Sequence, residues 1–503
     1  MQLDPKATTL APILRAADLR SVEAEFGCSG ASLMERAGLA AAEVARTLAH
    51  GAGSVLVLAG PGNNGGDALV VARHLRAWFF DVTVVFAGDP SCLPGDAVAA
   101  HTAFRDAGGA LCADLPPQWH GALIVDGLFG IGLTRPIGAP YAGWIAWANA
   151  SGIPILALDL PSGLDADRGH AIGPVIAARA TSTFIALKPG LVTGAGIDHA
   201  GMLYVHDLGL GAAVRTRDPG HWLTWPGLAQ HLPAPLQRRQ KNVHKGTFGT
   251  LGIIGGGEGM IGAPLLAGRA ALRTGAGRVR VGYAARAHPA ADFNALELMV
   301  TTAKAVLDAG ADVLVVGPGL GATAVTAALL RRALAADVPL VLDADALNLV
   351  AKDPGLRRRL TDRRSATLLT PHPAEAARLC GTDTTSIQAD RLAVCLELAR
   401  TLGAHVVLKG AGSVVASPEG RWAINASGNP GLSAAGSGDV LAGMAGALLA
   451  QGLAPHDALR YAVCLHGAAA DGLVERARGP VGLVVSELGD AARALVNEAA
   501  RQD

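Results

Sequence analysis

Apolar residues recur along this chain in two alternating rhythms. Residues 14–48 carry them at a spacing near 3.6, Ala16, Leu19, Val22 and Phe26, then Leu33, Ala37, Ala41 and Val44, which predicts helix. Short unbroken apolar runs follow at Ser54–Gly60 (SVLVLAG), Val82–Phe86, Leu123–Val125 and Ile155–Leu158, with the length and composition of fully buried strands. The first run leads at once into PGNNGGDALVVARHL, so strand, Gly-rich turn and helix open a doubly wound α/β domain. Residues 211–240 are proline-rich, polar and aperiodic, as a linker or domain border should be. A second alternation begins with a strand at Thr250–Ile254, a Gly-rich turn and a helix in GAPLLAGRAALRTGAG. It continues through DVLVVGPGLG (Asp312–Gly321), VPLVLDADALN, ATLLTPHPAEAARL and HVVLKGAGSVVA. The chain therefore predicts two α/β domains, at 1–222 and 223–503, and no short-period repeat.

Composition narrows the class. The 503 residues are 50% hydrophobic and 17% charged, which excludes disorder and allows two full cores. Lys plus Arg and Asp plus Glu number 42 each, with no basic cluster to suggest nucleic acid or a membrane surface as partner. Six scattered cysteines (Cys28, Cys92, Cys112, Cys380, Cys395, Cys464) form no C-x-x-C pair, which argues against zinc or a disulfide framework. The start of the chain, with Asp4 and Lys6, lacks the apolar core of a signal peptide, and no run reaches the length of a membrane span. A cytoplasmic protein is expected.

The candidate chemistry lies where apolar runs end. After the first strand the turn is not G-x-G-x-x-G; Asn63, Asn64 and Asp67 bring amides and a carboxylate to a place where a dinucleotide fingerprint keeps bare backbone. Asp126 and Asp159 stand at the ends of later strands, where ligands gather in open parallel sheets, although Gly and Pro neighbours also suit turn residues. Asn64, Asp126 and Ser162 offer only oxygen ligands, which favours a hard cation over zinc. In the second half, NPGLSAAGSGDVLAG (Asn429–Gly443) joins a loop of small residues to an apolar helix. Its free N–H groups and dipole suit phosphate, and Asp439 stands at the helix start as a base or as a simple N-cap. Lys409 opens the KGAGS loop, where Gly410 and Gly412 free the backbone to approach a phosphate or merely to turn between strands. His372 sits between prolines as a ligand contact or a rigid turn residue, and Asp343 and Asp345 are structural or hold a metal-linked water.

These motifs together resemble one family from end to end. GPGNNGGD, DGLFGIGL, LDLPSGLDADRG and TFIALKPG look like an NAD(P)H-hydrate epimerase. NVHKGTFG, GAPLLA, GPGLG, DADALN, LTPHPAE, VLKGAGS and NPGLSAAGSGDVLAG look like the ADP- or ATP-dependent NAD(P)H-hydrate dehydratase, and the fusion resembles the bifunctional NAD(P)H-hydrate repair enzymes. The resemblance implies a Rossmann-like domain followed by a ribokinase-like domain, an isomerase and a lyase in one chain. In the first domain it implies that Asn63, Asn64, Gly65, Gly66 and Asp67 bind the hydrated dinucleotide. Gly130, Ile131, Gly132, Leu133, Thr134, Arg135, Pro136 and Asp159 would complete that pocket, and Asn64, Asp126 and Ser162 would hold K+. Asp159 is the acid/base candidate and Lys188 the second. In the second domain, Ala263, Gly319, His372 and Asp439 would contact the hydrate. Lys409, Gly410, Ala411, Gly412, Ser413 and Gly438 would bind ADP or ATP with Mg2+, and Asp439 would be the base. The expected partners are NADHX, NADPHX and the nucleotide, and the expected assembly is a homo-oligomer.

Two positions depart from the family's pattern. Ala68 replaces the usual Gly after NNGGD, adding one methyl near a tight turn, and Arg179 stands before TSTF where an Asp is common, which either reverses the charge near the epimerase site or falls at a peripheral position. One rival reading is a sugar or hydroxymethylpyrimidine kinase with an accessory domain. Another is a catalytically idle N-terminal binding module, against which Asn64, Asp126, Asp159 and Ser162 count.

Overall fold

A computed structural model describes residues 2–3, 8–26, 32–50, 53–116 and 118–501. Asp4, Lys6 and Cys28 lie outside them; the other five cysteines are free. The chain divides into two compact units, one of residues 1–4 and 11–220, the other of residues 5–10 and 221–503.

In the first unit the strand order is Gln2–Leu3, Met202–His206, Ala180–Phe184, Ile155–Leu158, Leu123–Gly127, Ser54–Ala59, Asp81–Phe86, Leu111–Cys112. Every pair is parallel except the first. Successive residues of Ser54–Ala59 serve opposite cores. Val55, Val57 and Ala59 pack beneath helices Leu33–Leu48 and Asn63–Ala77, whereas Leu56 and Leu58 join Trp144 and Ile145 on the other face. Burial on both faces is why this strand reads as a continuous apolar run. The strand order reverses at Ser54–Ala59 and Leu123–Gly127, a switch point whose carboxyl end opens a crevice.

In the second unit the parallel order is Met299–Thr302, Arg278–Tyr283, Thr250–Gly255, Val313–Val316, Leu340–Leu342, Thr367–Leu369, His405–Leu408. Antiparallel strands Val414–Ala416 and Trp422–Asn425 extend the sheet. Helix Ser437–Ala450 is buried from Val440 to Leu449, so it is apolar all round rather than amphipathic. It crosses helix Gly262–Thr274 at Gly443, where a Cβ would fall 2.1 Å from the Ala267 carbonyl oxygen. Among the described residues no helix is long and apolar enough to cross a membrane.

Two expectations need revision. The helical region 14–48 comprises two described helices, Ala16–Phe26 and Leu33–Leu48, with residues 27–31 outside the described part. Residues 211–240 are not a bare linker. They hold helices Gly211–Arg215 and Trp225–Ala229 and strand Gly220–Leu223, which pairs in parallel with Trp422–Asn425. These elements are too short to show a period, and the border expected at 222/223 falls inside that strand.

Gly443→Ala should force the two helices apart and destabilise the protein by about 1–3 kcal/mol, the usual cost of an extra methyl in a packed contact. Chemical unfolding reads this directly; an unchanged midpoint would mean that the helix pair relaxes freely.

Candidate active sites

The first site forms at the switch point. Helix Asn63–Ala77 begins directly after the turn, and Gly65 is required there because a Cβ would lie 1.9 Å from the Gly60 carbonyl oxygen. Asn64 is 7% exposed, yet neither its amide nitrogen nor its oxygen has a partner among the described residues. A buried amide left so is costly unless a ligand completes it. Asp126 is fully buried and accepts from Ser162 N–H (2.9 Å), Ser162 Oγ (2.7 Å) and Leu128 N–H (3.2 Å). Burial pushes its carboxyl up to about 6, against the pull of those bonds.

Asp159 holds a left-handed backbone (φ +64°), a strained setting for a non-glycine residue that sets where its carboxylate sits. One oxygen accepts from Ile131 N–H at 3.3 Å and the other pairs with Lys188. Lys188 is 2% exposed and also donates to Thr183 Oγ1 (2.8 Å) and the Phe184 carbonyl (2.9 Å), which occupies all three N–H groups. At Gly130 a Cβ would stand 3.0 Å from Asp159 Oδ2 and 3.5 Å from Asn64 Oδ1, so a side chain there would crowd both groups. Asp67 joins them electrostatically: burial first, then the charges of Asp159 and Glu23, hold its carboxyl well above the usual range. Asn63, Gly132, Thr134, Arg135 and Pro136 are exposed at the rim, Leu133 is half-buried, and Gly66 is packed against Met34 below.

The motifs missed part of this wall. Arg20, on helix Ala16–Phe26, donates to the Ile131 carbonyl at 3.1 Å and ties down the 130–136 loop. Glu23, on the same helix, lies within the field of Asp159 and Lys188. Both belong to the polar side of an ordinary amphipathic helix, and nothing in its period marks them. The two departures also find their places. The Ala68 methyl is buried against Gly127, whose missing side chain makes room for it. Arg179 is exposed just before strand Ala180–Phe184, at the edge of the sheet opposite the carboxylates.

In the second site a half-buried cation organises the acids. Lys409 follows strand His405–Leu408 and places Nζ 2.9 Å from Asp343 Oδ1 and 4.0 Å from Glu375 Oε2. Asp343 also accepts from Thr370 Oγ1 at 2.6 Å. Burial disfavours the Lys409 charge, but Asp343 and Glu375 outweigh it and raise its pKa. Asp439 is the third residue of its helix, so it is not the N-cap; Gly436 at φ +89° takes that place. Burial, then the charge of Asp343, pushes the Asp439 carboxyl up to about 7, with Asp345 and Glu375 adding and Lys409 opposing. Gly438 brings the turn onto Lys409, since a Cβ there would lie 3.0 Å from Nζ.

Asp345 accepts from Gly321 N–H at 2.8 Å and thereby fixes the loop that carries Gly319. Gly319 in turn abuts Met260 and Ala263. His372 caps helix Pro373–Cys380: its Nδ1 accepts from Ala374 N–H (3.1 Å) while its backbone N–H donates to Glu375 Oε2 (2.9 Å). The KGAGS segment is a hairpin turn closed on itself by Gly410 N–H to Ser413 Oγ (3.2 Å) and Ser413 Oγ to the Gly410 carbonyl (2.8 Å), with Ala411 exposed at its tip and Gly412 half-buried beside it. Glu375 and Thr370 were within reach of sequence reading, because both belong to the TPHPAE stretch that supplied His372. Asp471 was not: from mid-helix it binds Gly428 N–H and Asn429 Nδ2, each at 2.8 Å, and pins the loop ahead of the GSGD turn.

A family model described as NAD(P)H-hydrate dehydratase matches residues 251–491, and one described as YjeF-related protein N-terminus matches residues 30–190. The chain is 40% identical over 499 residues to the bifunctional NAD(P)H-hydrate repair enzyme Nnr of Escherichia coli K12, covering 96% of this chain and 93% of that one. It is 38% identical over 490 residues to the protein of the same name from Coxiella burnetii, covering 95% and 98%. A solved structure, the ADP/ATP-dependent NAD(P)H-hydrate dehydratase of Bacillus subtilis crystallised with ATP and Mg2+, is 30% identical and covers 55% of this chain and 98% of its own, with a TM-score of 0.47.

Lys409 counteracts the charges around Asp439, so Lys409→Met should raise the Asp439 pKa further above about 7. Carboxyl-carbon NMR titration would read this, and an unmoved Asp439 would mean that the two groups are not coupled.

Proposed function

The chain belongs to the family of bifunctional NAD(P)H-hydrate repair enzymes, and on that premise we propose how its residues divide the work. It repairs hydrated NADH and NADPH: the first unit interconverts the R and S hydrates, and the second dehydrates the S form at the expense of ADP or ATP.

The observation that carries the assignment of the second site is Asp439, a carboxyl pushed up to about 7 at the head of a helix whose turn adjoins the half-buried Lys409. Such a group can take the proton of the ring hydroxyl as that oxygen attacks the terminal phosphate of the nucleotide. The N–H groups of the GSGD turn and Lys409 then face the charge that develops, and loss of phosphate from the ring restores the reduced nicotinamide. Ala263, Gly319 and His372 would hold the hydrate, and Lys409, Gly410, Ala411, Gly412, Ser413 and Gly438 the nucleotide. Mg2+, bound with the nucleotide, would offset the charge of its phosphates.

In the first unit Asp159 is the acid/base. Lys188 already spends its N–H groups on Asp159, Thr183 and Phe184, which fits a positioning partner better than a proton carrier. Asn63, Asn64, Gly65, Gly66 and Asp67, with the 130–136 loop, would bind the hydrate. The unpartnered amide of Asn64 beside buried, oxygen-only Asp126 and Ser162 fits a K+ ion, which would supply fixed positive charge. A homo-oligomeric cytoplasmic enzyme completes the reading.

Mixed R and S NADH hydrate, given ADP or ATP with Mg2+, should return fully to the absorbance of NADH. Recovery that halts once S is consumed would remove the epimerase assignment, and a stable phosphorylated product would favour a small-molecule kinase. Asp439→Asn should lower dehydration by roughly 10²–10⁴-fold, the usual worth of a general base, while leaving nucleotide binding intact. In the wild type, kcat/KM for dehydration should rise with pH through about 7, because the base acts only when ionised. Asp126→Ala should impair K+-dependent epimerisation alone, and equal loss of both activities would mean a structural role.

A further inference from the structure

Among the fully buried side chains the largest is that of Arg391, 2% exposed, at the first position of helix Arg391–Leu402. Its guanidinium reaches across to the end of strand His405–Leu408. There Nη2 donates to the carbonyl of Leu408 (3.2 Å) and to that of Lys409 (3.3 Å), while Nη1 donates to Gln388 Oε1 (2.7 Å). Both nitrogens press on Gly410, where a Cβ would lie 3.0 Å from each. A charge withdrawn from water at such cost needs a use.

The use is visible in the two peptides that flank Lys409. One consists of the Leu408 carbonyl and the Lys409 N–H, the other of the Lys409 carbonyl and the Gly410 N–H. Lys409 N–H donates to the Pro371 carbonyl (2.9 Å) and Gly410 N–H to Ser413 Oγ (3.2 Å). Both carbonyls are held by the single guanidinium. All four polar groups around Lys409 are therefore tied, and the turn leaves the strand in one direction only. A planar fork holds two carbonyls and an amide in directions fixed by its own geometry; a lysine ammonium is shorter, and its three rotatable donors do not impose those directions.

We infer that Arg391 is a positioning residue for nucleotide use: it sets the main-chain path of the Lys409–Ser413 turn, and with it the affinity for the adenine nucleotide, without touching nucleotide or hydrate. This rests on the reading above that the turn receives the nucleotide. The full-length protein tests it through separate KM values for ATP and for S-NADHX. Arg391→Met should raise KM for ATP by about tenfold, with KM for S-NADHX and the epimerase rate within about twofold of wild type. Arg391→Lys should fall between the two. Equal rises in both KM values, or a Lys variant with wild-type KM for ATP, would overturn the inference. If Arg391→Met does not fold, Arg391→Lys decides alone by the same split. Gly412→Asp separates this idea from its premise, since a carboxylate in the turn must repel nucleotide phosphates. An unchanged KM for ATP in Gly412→Asp would sink the nucleotide reading of the turn. A raised KM there, with Arg391→Met unaffected, would sink the role of Arg391 only.

Discussion

The ion pair between Lys409 and Asp343 is the contact on which the second site depends. Glu375 and Asp439 also act on this cation, and Asp345 acts on Asp439; Asp343 is within hydrogen-bond reach of the ammonium and Glu375 stands 4.0 Å away. Removing Lys409 would leave the buried carboxylate of Asp343 without its cation. The arrangement also grades the acids. Asp343 is spoken for by Lys409 and Thr370, Glu375 by the cap of its own helix, and Asp345 by Gly321, which leaves Asp439 as the acid whose proton is free to exchange near neutrality. Lys409, a helix cap and a loop N–H thus each hold one carboxylate, and Asp439 is set apart from the other three by its raised pKa.

The first unit reaches a comparable end by other means. Its carboxylates are graded by geometry rather than by a shared cation: Asp126 is enclosed by Ser162 and backbone N–H groups, and Asp159 is turned into place by a left-handed backbone and gripped by Lys188. In both units polar candidates stand at the carboxyl ends of parallel strands, Asp126 and Asp159 in the first and Asp343 and Lys409 in the second, whereas Asp439 comes from the head of a helix.

The carboxyl-end edge of each sheet is what makes so much legible in the amino-acid sequence. Asp126, Asp159, Asp343 and Lys409 each come directly after, or at the end of, an apolar run, where a polar residue is conspicuous. Asn64 and Gly438 lie in Gly-rich turns that announce themselves. The groups that escaped notice share the opposite property. Arg20 and Glu23 sit on the polar face of a helix, and Arg391 opens a helix whose Asp390 cap reads as routine. Their roles come from tertiary reach across tens or more residues of chain, which no local period encodes. His372 escaped in another sense, since a His at an N-cap is an unusual choice and its ring bonds its own helix. The strand at Gly220–Leu223 was hidden because four residues among prolines carry no alternation, and only pairing with Trp422–Asn425 makes them a strand.

The crossing at Gly443 has a consequence for how such a protein can change over generations. Backbone lies against backbone there, so the helix that starts beside Gly319 and the helix that carries Asp439 share one seam with no side chain to trim. A change at either helix there has to respect the other, which holds the spacing between Ala263 and Asp439 within narrow limits. Tolerance for substitution is thereby shifted to exposed turns such as the tip at Ala411, which carries no such backbone contact.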